Sequence, residues 1–161
     1  MTRIDAAFDP AQHLCARQRW FEDFRIGERY VLPSRTLTSA NFAAFQIVSG
    51  DNHPIHYDIE YCRARKLDGL LAHGLQVMCF TAAGAGSFPH EVSDSLVAFI
   101  EQSSRFLAGA IEGDTLYPAL EIVELASQRT TGVIVMRATI HNQKRELVLD
   151  GAHKYLVRKR P

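Results

Sequence analysis

Residues 75–87 read LQVMCFTAAGAGS: Leu75, Val77, Met78, Cys79 and Phe80, then Ala82, Ala83, Gly84, Ala85 and Gly86. Taken at helical period, this run is apolar nearly all round, and a helix apolar on every side must be surrounded by protein. Its small-residue end lets another backbone approach closely. What surrounds it lies downstream. Residues 96–107, 115–125, 133–141 and 147–157 are four strand-like runs, separated by turn signals at 109–114, 127–132 and 142–146. In the third run Val133, Val135 and Arg137 alternate with Ile134, Met136, Ala138 and Ile140. Both faces are mostly apolar, so the sheet is expected to be covered on both sides. Three closely spaced hairpin connections predict an antiparallel sheet, and one strand, then helices, then strands predicts an α+β fold. The physical reading is an antiparallel sheet wrapped around a long central helix.

Upstream, residues 29–36 carry β-formers and read as a strand, with Pro33 placing it at an edge or a bulge. Thr38 or Ser39 offers an N-cap. Phe42, Phe45 and Val48 then recur at near-helical spacing, and Gly50 is placed to stop the helix. A Pro-containing loop over 51–57 leads to a short polar helix that Asp58 is expected to cap. Residues 1–18 show no periodicity and are read as an N-terminal extension; residues 19–161 form a single domain.

Composition sets outer limits. Of 161 residues, 47% are apolar and 22% charged, which is ordinary globular usage. Eighteen basic and eighteen acidic side chains cancel, so no basic footprint for nucleic acid is present. Cys15, Cys62 and Cys79 are odd in number, widely spaced and without a C-x-x-C pair. That argues against a disulfide framework and fits a reducing compartment. Cys79 is expected to be a small core residue. The N-terminal residues lack a signal-type apolar core and no run approaches a membrane span, so a cytoplasmic protein with no membrane partner is the expectation.

The chemistry-bearing side chains concentrate in one stretch: Asp51, His53, His56, Asp58 and His73. The segments SGDNHPIH (49–56) and LLAHG (70–74) frame a short helix and can meet in space. Polar groups at the mouth of an apolar helix are the usual layout of a small-molecule site. Pro54 stiffens the loop and pushes His53 towards extended backbone.

The run Ser49-Gly50-Asp51-Asn52-His53-Pro54-Ile55-His56, followed by Ala72-His73-Gly74, resembles the signature of MaoC-like dehydratases, which include the (R)-specific enoyl-CoA hydratases. That family shows Gly-Asp-x-Asn-Pro-x-His, then Ala/Val-His-Gly at the head of the central helix. Phe21 to Gly27, Arg105-Phe106-Leu107 and Gly113-Asp114-Thr115 are also similar to the family pattern. The resemblance implies a hot-dog fold and a homodimer or dimer of dimers, with the substrate tunnel near the subunit contact. It implies hydration of 2-enoyl-CoA to 3-hydroxyacyl-CoA, or the reverse, with no cofactor. Asp51 and His56 would activate one water, and the Gly74 N–H would bind the thioester carbonyl oxygen. His53, Ala72 and His73 are the residues expected around the substrate, although His73 also reads as a residue that packs and hydrogen-bonds at the helix start.

These residue types suit that chemistry. Adding water to an α,β-unsaturated thioester puts oxygen on the β-carbon and pushes negative charge onto the carbonyl oxygen. A carboxylate accepts hydrogen bonds, whereas neutral imidazole accepts a proton and returns one. The enolate oxygen needs a fixed donor, and a helix N-terminus supplies one; losing such a donor typically costs ~3 kcal/mol of transition-state stabilisation. Two departures stand out. His53 replaces the family Asn before Pro54, and Ala82 stands where some relatives carry a serine.

Other readings compete. Asp51 alone is an ordinary turn residue after Gly50, and His56 alone an ordinary structural histidine; together with His73-Gly74 in frame they favour a site. Three histidines and a carboxylate also suit zinc, but Pro54 inside the His53/His56 pair does not make both rings converge. A hot-dog acyl-CoA thioesterase, with water attacking the carbonyl, and a non-catalytic acyl-CoA-binding protein are the remaining function classes.

Overall fold

The computed structural model describes residues 3–161. In chain order its main elements are strands β1 (Arg29–Val31) and β2 (Arg35–Thr36), helices α1 (Ser39–Ser49), α2 (Ile59–Ala64), α3 (Gly74–Cys79) and α4 (Phe88–Glu91), and strands β3 (Leu96–Phe106), β4 (Thr115–Ser127), β5 (Thr131–Asn142) and β6 (Leu147–Arg158). All six strands form one antiparallel sheet in the order β1-β4-β5-β6-β3, with β2 also pairing β4. The fold is α+β, with the helices on the inner face of the sheet's long strands. No helix of the described residues is long and apolar enough to cross a membrane.

Local signals explain the short elements. Thr38 accepts from Asn41 N and Asn41 returns a bond to Thr38 N, a reciprocal cap that starts α1. Gly50 ends it with φ 71°, a left-handed conformation that costs other residues more. Asp58 caps α2 through Tyr61 N. Pro33 splits the 29–36 run: β1 and β2 pair separately with β4, and the proline sits between them.

The central run differs from its sequence reading. The helix over 75–87 is broken: α3 stops at Cys79, a 3-10 turn covers Ala83–Ala85, and α4 restarts at Phe88. Ala82, with ψ 116°, has left helical space, Gly84 and Gly86 weaken the helix further, and Pro89 can only sit in the first turn of a new one. Nor is the run enclosed on all sides. Leu75 is 60% exposed and Cys79 is exposed, whereas Val77 and Gln76 are buried. What comes close at the small-residue end is a side chain rather than another backbone. A Cβ on Gly86 would lie 2.6 Å from Leu32 Cδ2.

The second difference lies in connectivity. The β4–β5 and β5–β6 connections are hairpins, but residues 107–114 are a crossover, because β3 pairs with β6 at the far side of the sheet. The free edge of β4 is occupied by β1 and β2, so β3 has no room there. The crossover is tied on the way by Leu107 N to Val148 O, Ala72 N to Ala110 O, Glu112 N to Leu70 O and Gly113 N to Leu37 O. This fixes residues 70–73 against the end of the sheet.

Two cores result. One joins Phe21, Phe24 and Phe88 to Leu120, Ile122, Ile134 and Met136; Phe21 packs on Gly132, where a Cβ would come within 2.3 Å of the ring. The other joins Leu37, Phe42, Ala72 and Val77 to Leu116, Ile140 and Leu149. Between helix and sheet runs a buried polar chain. Tyr155 donates to His153 Nδ1, His153 Nε2 donates to Thr81 Oγ1, and Thr81 donates to the Met78 carbonyl. Every member is neutral and partnered, which is how such groups tolerate burial.

Burial pushes His153 down to about 4. An unfolded histidine titrates near ~6.5, so between those values the unfolded chain binds the extra proton and stability falls as the pH is lowered. The urea midpoint is expected to drop between about pH 7 and pH 4.5, and to drop less in His153→Asn.

Candidate active site

The site is assembled where α1 ends. After Gly50 the chain turns through Asp51, whose Oδ1 accepts from His53 N (3.3 Å) and whose N–H donates to Ser49 Oγ (3.2 Å). Pro54 then opens a 3-10 turn, Pro54–His56, in which a missing N–H costs nothing. His53, with φ −67° and ψ 131°, is its N-cap: Nδ1 accepts from Ile55 N at 3.3 Å. An imidazole thus does at this position what a short amide side chain would do. Its ring is set edge-on to Tyr61, 5.5 Å between centroids.

The turn directs His56 inward. Its Nδ1 lies 2.7 Å from the Leu71 carbonyl oxygen, so Nδ1 carries the proton and Nε2 presents a lone pair. That lone pair faces Asp51 Oδ2 at 3.8 Å, too long for a direct hydrogen bond and the spacing of two acceptors set to share a donor. His56 is 9% exposed while the Asp51 side chain is 49% exposed. The pair therefore has one buried member and one open to the surface.

His73 closes the back. It is 1% exposed, its ring stacks on His56 with centroids 3.7 Å apart and planes at 21°, and its Nε2 lies 3.2 Å from the Asp51 carbonyl oxygen. Asp51, His56 and His73 bring potential ligand atoms within 4.8 Å of one another. The two ring nitrogens left over, His56 Nε2 and His73 Nδ1, belong to stacked and nearly parallel rings. Their lone pairs lie in offset planes and do not converge on one point, so a metal would have to rearrange both rings. His53 stands outside this set, with its Nδ1 already used as a cap.

Next to His73, Gly74 is the first residue of α3, where an N–H has no intrahelical acceptor. The Phe106 ring covers Gly74: an added Cβ would lie 3.4 Å from Phe106 Cζ. A cleft of about 370 Å³ opens beside it, lined by Leu71, Ala72, Gly74, Val77, Phe106 and Leu107 among others. Ala72 is 5% exposed and belongs to both this lining and the core. The structure thus gathers Asp51, His56 and His73 next to Gly74, puts Gly74 and Ala72 in the cleft wall with Asp51 and His56 outside that lining, and leaves His53 exposed. Two contributors have no side-chain signal of this role. Leu71 acts through its carbonyl, which any residue supplies, and Phe106 acts through proximity created by the crossover. Ala82 lies beyond the end of α3, so it is not a helix position facing the pair.

Residues 23–144 match the family described as MaoC like domain, and the chain belongs to that family. A curated relative, the 3-hydroxybutyryl-CoA dehydratase of Methylorubrum extorquens, is 25% identical over 135 residues, 84% of this chain and 82% of that one. Among solved structures, the Monoamine oxidase regulatory protein from Archaeoglobus fulgius superposes with a TM-score of 0.83 at 27% identity, covering 92% of this chain and 99% of the other. A Mycobacterium tuberculosis protein described as having a double hot-dog fold gives 0.74 at 26% identity, over 89% of this chain and 45% of its own. The fold is accordingly the hot-dog fold, and the curated dehydratase relative places the chain at a coarse level with hydro-lyases.

If His53 serves the loop as a cap, His53→Asn should keep wild-type stability. His53→Ala should lose about 1 kcal/mol or less, read from urea unfolding.

Proposed function

We propose that the protein hydrates 2-enoyl thioesters of coenzyme A to 3-hydroxyacyl thioesters, or runs the reverse dehydration. The observation that carries this reading is the pair of facing acceptors, Asp51 Oδ2 and His56 Nε2, beside the free first-turn N–H of Gly74 and an apolar cleft. A water donating one hydrogen to each acceptor is both held and polarised. His56 Nε2 takes a proton as the water oxygen bonds to the β-carbon. The carbon–carbon π electrons move towards the carbonyl, and the developing oxyanion rests on the Gly74 N–H. The α-carbon then receives a proton from the His56/Asp51 pair, so one water is added and both side chains return to their starting state. The Leu71 carbonyl, accepting from Nδ1, stabilises the imidazolium that forms in between.

The apolar wall of the cleft, Leu71, Val77, Phe106 and Leu107, suits an acyl chain. The same region supports a homodimer. β3 is an edge strand with Leu96, Val97, Phe99, Ile100 and Phe106 exposed, and Leu75 on α3 is exposed as well. A long apolar edge calls for a cover, and a second chain laid there would roof the cleft at Phe106 and Leu107. The double hot-dog description of the M. tuberculosis protein fits two such units side by side.

Purified protein should consume the enoyl absorbance of crotonyl-CoA or of a longer 2-enoyl-CoA. Asp51→Asn and His56→Ala should each lower kcat by about 100-fold or more with the fold intact. Wild-type rates in either variant would remove the pair from the mechanism, and release of free thiol from a saturated acyl-CoA would favour thioester hydrolysis instead. The reaction as drawn uses no metal, so exhaustive chelation should leave the rate unchanged. Loss of activity on chelation, restored by zinc, would overturn that.

A further inference from the structure

His73 sits at the N-cap of α3, yet its side chain makes no capping hydrogen bond, and histidine is not among the preferred capping residues. The ring points the other way. Its Nε2 lies 3.2 Å from the Asp51 carbonyl oxygen, an acceptor, so Nε2 carries the proton. Among the described residues that carbonyl has no other hydrogen-bond donor. Nδ1 of His73 is buried and unpartnered, so among the described residues Nε2–H makes the ring's one hydrogen bond. One face stacks on His56, and Phe45 and Phe42 pack around the same ring with centroids 5.0 and 6.3 Å away.

Each contact removes a freedom that the reaction cannot tolerate. The His56 side chain is held by a single hydrogen bond, Nδ1 to the Leu71 carbonyl; rotation about Cβ–Cγ breaks that bond and releases the tautomer it selects. The stacked face of His73 stops the rotation and keeps Nε2 aimed at Asp51. Asp51 in turn is half exposed, on a loop tied by local bonds only. The bond from His73 ties its backbone to the α3 end, which the crossover anchors to the sheet. Of the two stacked rings His73, 1% exposed, is the more deeply buried, and His56, 9% exposed, is the one that faces Asp51.

We propose that His73 is a positioning residue for the Asp51/His56 pair: its Nε2–H clamps the Asp51 carbonyl and its ring face fixes the plane of His56. This rests on the hydratase reading given above. Two variants separate the two contacts. His73→Phe keeps a ring face and loses the donor; His73→Gln offers an amide N–H near the Nε2 position and loses the ring. Hydration of crotonyl-CoA gives kcat and KM, thermal melting reports folding, and ¹⁵N NMR of the histidine rings reports the His56 tautomer without turnover.

In His73→Phe, kcat is expected to fall about 10- to 100-fold with KM within about twofold, while His56 keeps the single Nδ1–H tautomer of the wild type. In His73→Gln, part of the lost kcat returns, and the His56 signals average between tautomers. Wild-type kcat in His73→Phe, or a raised KM with unchanged kcat, would overturn the clamp and mark His73 as a substrate contact. A single tautomer in His73→Gln would overturn the stacking role. Parallel loss of melting temperature and kcat in both variants, without rescue by Gln, would reduce His73 to a folding residue. A wild-type chain that hydrates neither crotonyl-CoA nor longer enoyl-CoA refutes the hydratase reading alone, and the tautomer measurement then still decides whether His73 holds His56.

Discussion

Leu71 exchanges two hydrogen bonds with the turn that carries the site: its N–H donates to the Ile55 carbonyl and its carbonyl accepts from His56 Nδ1, at 3.1 and 2.7 Å. The geometry of the candidate site hangs from this exchange. It joins two stretches that are far apart in sequence, selects the tautomer of His56 and sets the distance between that ring and Asp51. Neither stretch could hold the geometry alone, because a short 3-10 turn and a six-residue helix are marginal structures without tertiary support.

That support comes from the crossover between β3 and β4. Residues 107–114 bond to Leu37, Leu70 and Ala72 as they pass, and Leu71 forms a bridge with Ile111. The sheet is the rigid body of the fold, with β4, β5 and β6 paired over nearly their whole length. The crossover transfers its rigidity to the segment 70–74, and that segment passes it to Asp51 and His56. A site held to sub-ångström tolerance needs such a chain of supports. The same segment also carries Gly74, so the polar pair and the proposed oxyanion donor share one backbone support.

The departures from the family pattern fit this view. His53 replaces an amide, yet its Nδ1 accepts the Ile55 N–H, so the turn keeps its cap while the ring packs against Tyr61. The central helix is shorter than an apolar run of this length suggests. It stops at Cys79, Gly84, Gly86 and Pro89 disfavour its continuation, and the chain folds into a 3-10 turn and α4, which packs Phe88 into the main core. Leu75 and Cys79, both within α3, lie at the surface.

Much was legible in the residues themselves. The period of the apolar pattern set the four long strands to within a few residues, and Thr38, Gly50 and Asp58 marked helix ends because capping is local chemistry. The motifs around Asp51, His56 and Gly74 marked the candidate site, since few residue types can move a proton. Tertiary structure alone decided the rest. Strand order depends on which edge of β4 is already occupied, a competition between distant segments that no local pattern records. The role of Leu71 is invisible in sequence because a backbone carbonyl has no identity. The stacking of His73 on His56 arises only when two loops meet, since ring orientation is set by packing across the fold rather than by position along the chain.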